Sequence, residues 1–271
     1  MDSRRPRPDR RGRARPVVVH VGVAELEAVT VLVDTVAGYI ERAGRATRVA
    51  VVAFDGISPF HLSVPCIVFG EDRTAVGDPR FDLTVCAVQP GTLQTNAGFA
   101  ITVAHGLGVL RHADVVVVPS WCDDLRPAPP ALLRALQAAH RRGAVIVGLC
   151  LGAFVLAEAG LLDGRPATTH WKLAPEFARR YPRVALQAEV LYVEDGLILT
   201  SAGTAAGIDC CLHLLRVRCG AEAANRAARR MVVAPHRTGG QDHGVPHRHP
   251  VGGTLGLDLE AAVHHRPLRR S

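Results

Sequence analysis

A chain of 271 residues, 48% of them hydrophobic, can bury a core of its own, and with no run of about 18 uninterrupted apolar residues it offers no membrane span. The formal charge of +7 sits at the ends: residues 1–16 carry seven Arg against two acids and residues 236–271 five against three, so the balanced stretch between them has no global basic field for nucleic acid. Seven Cys without a C-x-x-C pair fit neither a disulfide framework nor a zinc site, and reduced thiols are expected.

Residues 1–47 read as an N-terminal extension, a basic arm followed by a helix. Residues 17–24 follow the Arg-rich start as an export signal would, but His20 interrupts the apolar run and no clean small-residue cleavage site follows, so a cytoplasmic location is expected. Leu26, Val29, Val33, Val36 and Ile40 then recur at helical spacing over 24–42. From Arg48 the pattern becomes regular. Strands are predicted over 49–54, 81–88, 99–103, 114–119 and 144–149, and helices over 60–69, with Pro65 kinking or delimiting it, and over 130–142. Strands interleaved with helices mean a mostly parallel sheet covered on both faces.

After Cys150 a helix over 151–159 ends at Gly160, a suitable left-handed C-cap, and a loop over 163–170 leads to a helix at 171–180. Strands at 190–193 and 197–200 flank Glu194-Asp195-Gly196 as a hairpin, and two helices, 205–218 and 221–232, meet at Gly220. One domain over 48–235 results, followed by a tail, 236–271, rich in Gly, Pro, His and Arg and expected to hold little structure. Its histidines, among them His243, His247 and His249, are spread across a flexible composition, and no metal is expected there.

The sharpest local signal is Gly148-Leu149-Cys150-Leu151-Gly152, a G-x-C-x-G where a buried strand becomes a helix. Small residues two positions either side of a nucleophile permit the tight, strained turn that presents it. A thiol there faces a helix N-terminus, whose N–H groups favour the thiolate. Reading outward, G-L-C-L-G-A-F-V-L-A-E-A-G-L-L-D-G-R-P-A-T-T-H-W, the later T-S-A-G-T-A-A-G-I-D, F-D-G-I-S-P-F near the start and R-R-M-V-V-A-P-H-R-T-G-G-Q at the end resemble the PfpI-type branch of the class I glutamine amidotransferase-like superfamily. In particular they resemble the N-terminal amidase-like domain of GlxA-type AraC regulators. The resemblance covers Arg48 to Gln241. It implies an α/β, flavodoxin-like three-layer sandwich with a cysteine nucleophile elbow, a homodimer, and a small-molecule effector bound over the carboxyl ends of the strands.

Two departures bear on chemistry. Catalytic relatives, including isonitrile hydratases that share the A-T-T-H-W loop, place a carboxylate after the first strand; the matching position here is His61, and the residue after the cysteine, often hydroxyl-bearing, is Leu151. Both changes favour binding over turnover. His170 is the other candidate partner for Cys150, with a structural loop histidine bonded to backbone as the alternative. Asp55, Gly56, Trp121, Cys150, Leu151 and His170 are the candidate ligand-binding residues, with Cys122 a further lining candidate. Ser201 to Thr204 suit an N-cap or an anion contact, the cap being preferred. In the resembled regulators a paired helix-turn-helix domain of roughly a hundred residues follows. The resemblance stops at Gln241, so the expectation is a ligand-sensing, dimerising domain truncated before its DNA-binding part, with no sequence-specific DNA binding by this chain alone and no cofactor. The alternative is a cysteine-dependent hydrolase or hydratase using Cys150 with His61 or His170. A redox-sensing Cys150 is the third reading.

Overall fold

The computed structural model of the protein describes residues 46–240. The predicted helix over 24–42, the basic arm and the tail beyond residue 240 lie outside the described residues.

Among the described residues, eleven strands and five α-helices follow in chain order. They are β1 (Thr47–Ala53), α1 (Pro59–Phe69), β2 (Phe81–Ala87), β3 (Gly91–Gln94), β4 (Ala100–Val103), β5 (His105–Gly106), β6 (Val115–Val118) and α2 (Pro130–Arg141). Next come β7 (Val145–Leu149), α3 (Gly152–Glu158), β8 (Pro166–Ala167), α4 (Ala174–Arg180), β9 (Ala185–Leu186), β10 (Tyr192–Asp195), β11 (Ile198–Ser201) and α5 (Ala205–Met231). Seven strands form one sheet in the order β10-β11-β7-β6-β1-β2-β5, parallel throughout except for β10 against β11. Because strand side chains alternate, each central strand feeds two cores. Ala50, Val52, Val116, Val118 and Ile146 pack towards Leu132 and Leu136 of α2 and Leu156 of α3. Val49, Val51, Val115, Val117 and Val147 pack towards Val64 and Val68 of α1 and Leu214 and Leu215 of α5. This is the three-layer sandwich that the strand and helix alternation implies.

Local chemistry explains the departures from the sequence reading. Pro65 stays inside α1, which runs on to Phe69, but it has no N–H to return to the carbonyl of His61 one turn back. The expected strand near 99–103 does not join the sheet; it pairs antiparallel with β3, which the sequence did not show, as a separate hairpin. The β10–β11 hairpin turns at Gly196-Leu197 with Glu194 and Asp195 inside the strand, one to two residues later than expected, since Gly196 at φ 61° suits a tight turn. The helix expected at 171–180 opens as a 3₁₀ turn and becomes α-helical only from Ala174, with Pro175 in its first turn. Gly220, at φ 88° and ψ 164°, breaks α5 where the sequence places the break. Residues 236–240, read as the start of a loose tail, are instead held against the edge strand, with Gly239 O accepting from Leu191 N at 2.8 Å.

Candidate functional site

The elbow at Cys150 follows from what its glycines exclude. A Cβ on Gly152 would run into the carbonyl oxygen of Val118, and one on Gly148 would lie 3.0 Å from Leu156 and 3.1 Å from the backbone of α3. Only glycine lets α3 start this close to β6 and β7, and that closeness forces Cys150 to φ 52°. Its N–H donates to Ser201 O at 3.0 Å, and its own carbonyl accepts from the Thr169 hydroxyl at 3.0 Å. Gly203 lies against the other side of the thiol: a Cβ there would come within 2.5 Å of Sγ.

A cavity of about 400 Å³ opens over Cys150 at the carboxyl ends of the parallel strands. Gly56, Ser58 and His61 reach it from the segment after β1, Ser120, Trp121 and Asp123 from the loop after β6, and Leu151 from the elbow. His170, Lys172 and Leu173 come from the loop after β8, Thr204 from the turn before α5, and Asn96 from the β3–β4 hairpin. Lys172 is the only lysine of the chain. A doubly wound sheet has its crevice here because the connecting chains leave the strand ends in opposite directions.

Burial dominates the electrostatics. Cys150 is 5% exposed, and removal from water pushes its thiol up to about 11; the Leu151 N–H and the Ser120 hydroxyl pull it back by less, and Asp123 adds to the rise. The thiolate expected from the helix N-terminus is therefore not favoured, because desolvation outweighs the Leu151 N–H at the start of α3. His61 is lowered, first by burial and then by the neighbouring His170, against a smaller opposing pull from Asp123. Both of its ring nitrogens are buried without a hydrogen-bond partner among the described residues. His170 differs: its Nδ1 accepts from the backbone N–H of Lys172 at 3.3 Å, and its ring stacks on Trp171 with centroids 5.7 Å apart. Thr168 and Thr169, both 0% exposed, fix the loop that brings it to the cysteine, Thr168 N donating to Thr200 Oγ1 at 2.9 Å.

The structure thus brings Gly56, His61, Trp121, Cys150, Leu151 and His170 to one cavity. Trp121 is set by an Nε1 hydrogen bond to Arg126 O at 2.8 Å and by its contact with Phe54, ring centroids 4.8 Å apart. Asp55 is not among the lining residues. Its Oδ1 accepts from Gln94 N at 2.8 Å, and Gly56 N donates to Gln94 O at 2.8 Å, so the aspartate seats the hairpin that delivers Asn96. Cys122 also lies outside the lining. The preferred capping role for Ser201 to Thr204 fails: Thr204 is the N-cap residue with no side-chain cap bond, and Ser201 Oγ accepts from Gly203 N at 3.3 Å. Thr204 instead stands at φ 47° and ψ −120° on the cavity wall, a second strained backbone beside Cys150. Sequence reasoning missed Ser58, Asn96, Ser120, Asp123 and Lys172. Ser120 and Asp123 could have been found from their place just past the end of β6, whereas Asn96 depends on a hairpin whose first strand, β3, gave no sequence signal.

Comparisons with known proteins bear on the family and the fold. The pattern of the DJ-1/PfpI family matches residues 47–217. The HTH-type transcriptional regulator CdhR of Pseudomonas aeruginosa is 34% identical over 159 residues, which is 59% of this chain and 47% of the relative. The HTH-type transcriptional regulator GlxA of Rhizobium meliloti is 32% identical over 158 residues, 56% of this chain and 47% of the relative. The chain spans about half the length of these curated relatives. The crystal structure of an AraC family transcriptional regulator from Pseudomonas putida superposes with a TM-score of 0.60 at 20% identity, covering 68% of this chain and 99% of that one, a likeness of fold.

Proposed function

The chain belongs to the DJ-1/PfpI family, and on that premise we propose that residues 48–235 are the ligand-sensing, dimerising domain of a GlxA/AraC-type transcriptional regulator acting in the cytoplasm. One observation carries the reading. The cavity holds a histidine with two buried, unpartnered ring nitrogens beside a thiol that burial keeps protonated. A neutral imidazole offers one donor and one acceptor, and leaving both unmade costs free energy that a guest's polar groups would recover. A nucleophile would need the opposite arrangement, a thiol pushed down and a base already bonded to it. The size of the cavity, about 400 Å³, suits a small metabolite. Among the described residues no helix is long and apolar enough to cross a membrane, and sequence-specific DNA reading is ascribed to none of them.

Pairing of two copies is supported by α1, Pro-Phe-His-Leu-Ser-Val-Pro-Cys-Ile-Val-Phe, which has no charged residue and leaves Phe60 and Ile67 47% and 43% exposed. A helix apolar on all sides calls for cover on all sides. Light scattering of the intact protein should give twice the monomer mass, and Phe60→Glu with Ile67→Glu should give the monomer.

The test of sensing is calorimetric titration with a panel of small amino acids, amides and carboxylates. A binder whose affinity falls at least about tenfold in His61→Leu and is kept in Cys150→Ala supports the reading. Conversion of any panel compound, abolished by Cys150→Ala, would replace it with the cysteine-dependent hydrolase or hydratase.

A further inference from the structure

The chain leaves α5 through Val232 in a left-handed conformation, φ 56° and ψ 41°, and returns to the domain. Arg216 donates to Pro235 O at 2.9 Å. Arg237 grips Asp209 with two hydrogen bonds, Nε to Oδ1 at 3.0 Å and Nη2 to Oδ2 at 2.6 Å, and its carbonyl accepts from the Tyr192 hydroxyl at 3.0 Å. Gly239 O accepts from Leu191 N and Tyr192 N, and a Cβ on Gly239 would sit 2.8 Å from the Tyr192 ring. Asp209 is 8% exposed, so Arg237 balances a charge largely withdrawn from water.

The groups that hold this strap also hold the cavity wall. Leu191 gives its N–H to Gly239, and its carbonyl accepts from Ala202 N at 2.9 Å. Ala202 precedes Gly203, which lies against the Cys150 sulfur, and Thr204, which lines the cavity. Asp209 stands within two turns of the start of α5, which begins directly after Thr204. A turn carrying positive φ at both Gly203 and Thr204 gains by relaxing once it is pushed off the cysteine.

We propose that residues 235–239 are a latch coupled to the cavity: an occupant beside Cys150 displaces the turn at 202–204, shifts Leu191 and Asp209, and releases the strap from β10. This rests on the cavity being a ligand site. It assigns Arg237, Asp209 and Gly239 to signal output, with no part in ligand contact, and needs a differential interaction of the guest with the latched and unlatched states.

The intact protein provides the assay through tryptic cleavage of the Arg237–Thr238 bond, followed by mass, under conditions where the rate reports the open fraction. Asp209→Asn should be cut about tenfold faster or more, because Arg237, with over a third of its side chain exposed, loses the carboxylate charge that holds the strap to α5. Gly203→Ala, which pushes the turn off Cys150, should be cut about fivefold faster or more and should speed exchange of the Leu191 amide. Asp163→Asn, which loses a more exposed ion pair to Arg183 at a site outside the cavity lining and the strap, should match wild type. If Gly203→Ala does not fold, Cys150→Met, whose longer side chain extends into the cavity, replaces it. A folded Gly203→Ala or Cys150→Met protein cut at the wild-type rate, with Asp209→Asn accelerated, overturns the coupling and leaves the sensing reading intact. Wild-type protection in Asp209→Asn overturns the latch itself. Failure of sensing shows separately, as no binder in the calorimetric panel.

Discussion

Between Val145 and Leu149 every residue is buried and none carries a polar side chain, each face of the strand meeting its own helix layer. One residue later the chain takes φ 52° at Cys150, beside it Thr204 takes φ 47°, and in the same cavity His61 buries two nitrogens that meet no partner among the described residues. Cys150, 5% exposed, is nearly as deep as the strand, while His61 is half-buried and Thr204 exposed; the strand satisfies every local preference and the site departs from several. Depth alone therefore does not mark a site. What marks it is burial combined with strain and unmet hydrogen bonds, which persist because the sheet beneath is stable enough to carry them.

The strongest test of that contrast is at the seam between the two regions. Gly152→Ala should cost at least about 3 kcal/mol in urea denaturation, since its Cβ meets a backbone oxygen that cannot move without moving β6; wild-type stability in this variant would mean that the elbow is not held by close packing. Within the strand, Ile146→Val should cost about 1 kcal/mol by the same measurement, the ordinary loss for one buried methylene. A pH series sharpens the comparison through the thiols. In the folded chain burial raises Cys150 to about 11 and Cys86 to about 12, whereas an unfolded thiol titrates near about 8.5. The folded state holds these protons more tightly, so their contribution is complete below about 8.5 and falls as pH rises towards 11. Melting temperature should drop across that window, and Cys150→Ala should make the drop shallower. The smallest effect is expected at His61→Leu, neutral or stabilising by up to about 1 kcal/mol, because the lost imidazole makes no hydrogen bond to lose. Its folded value is lowered, so wild type should also lose stability as pH falls below about 6.5, and the variant should lose less.

The same contrast governs how far the sequence could be read. Apolar runs such as Val115–Val118 announce buried parallel strands, and Gly148 and Gly152 announce the elbow, because each is a local rule satisfied locally. The family resemblance placed His61 and His170 at the cysteine. The state of the cysteine was not legible: a helix N-terminus favours thiolate, and only the burial of the sulfur, with Gly203 packed against it, shows that desolvation wins. Asp55 looked like a ligand contact because it follows a strand end, but the bond that takes its carboxylate comes from Gln94, on β3, the strand of the hairpin that the sequence did not show. The strap on β10 was hidden for the same reason, since its hold comes from residues separated from it by tens of positions, Tyr192 and Asp209.

Lys172, at the rim of the cavity, gives the molecule an unusual experimental handle. Because no other lysine occurs in these 271 residues, an amine-reactive dye would attach within them there and at the α-amino group. The terminal amine, with its lower proton affinity, can be labelled or blocked first near neutral pH. A single fluorophore at the mouth of the cavity would then report its filling by a change in emission, without any substitution in the protein.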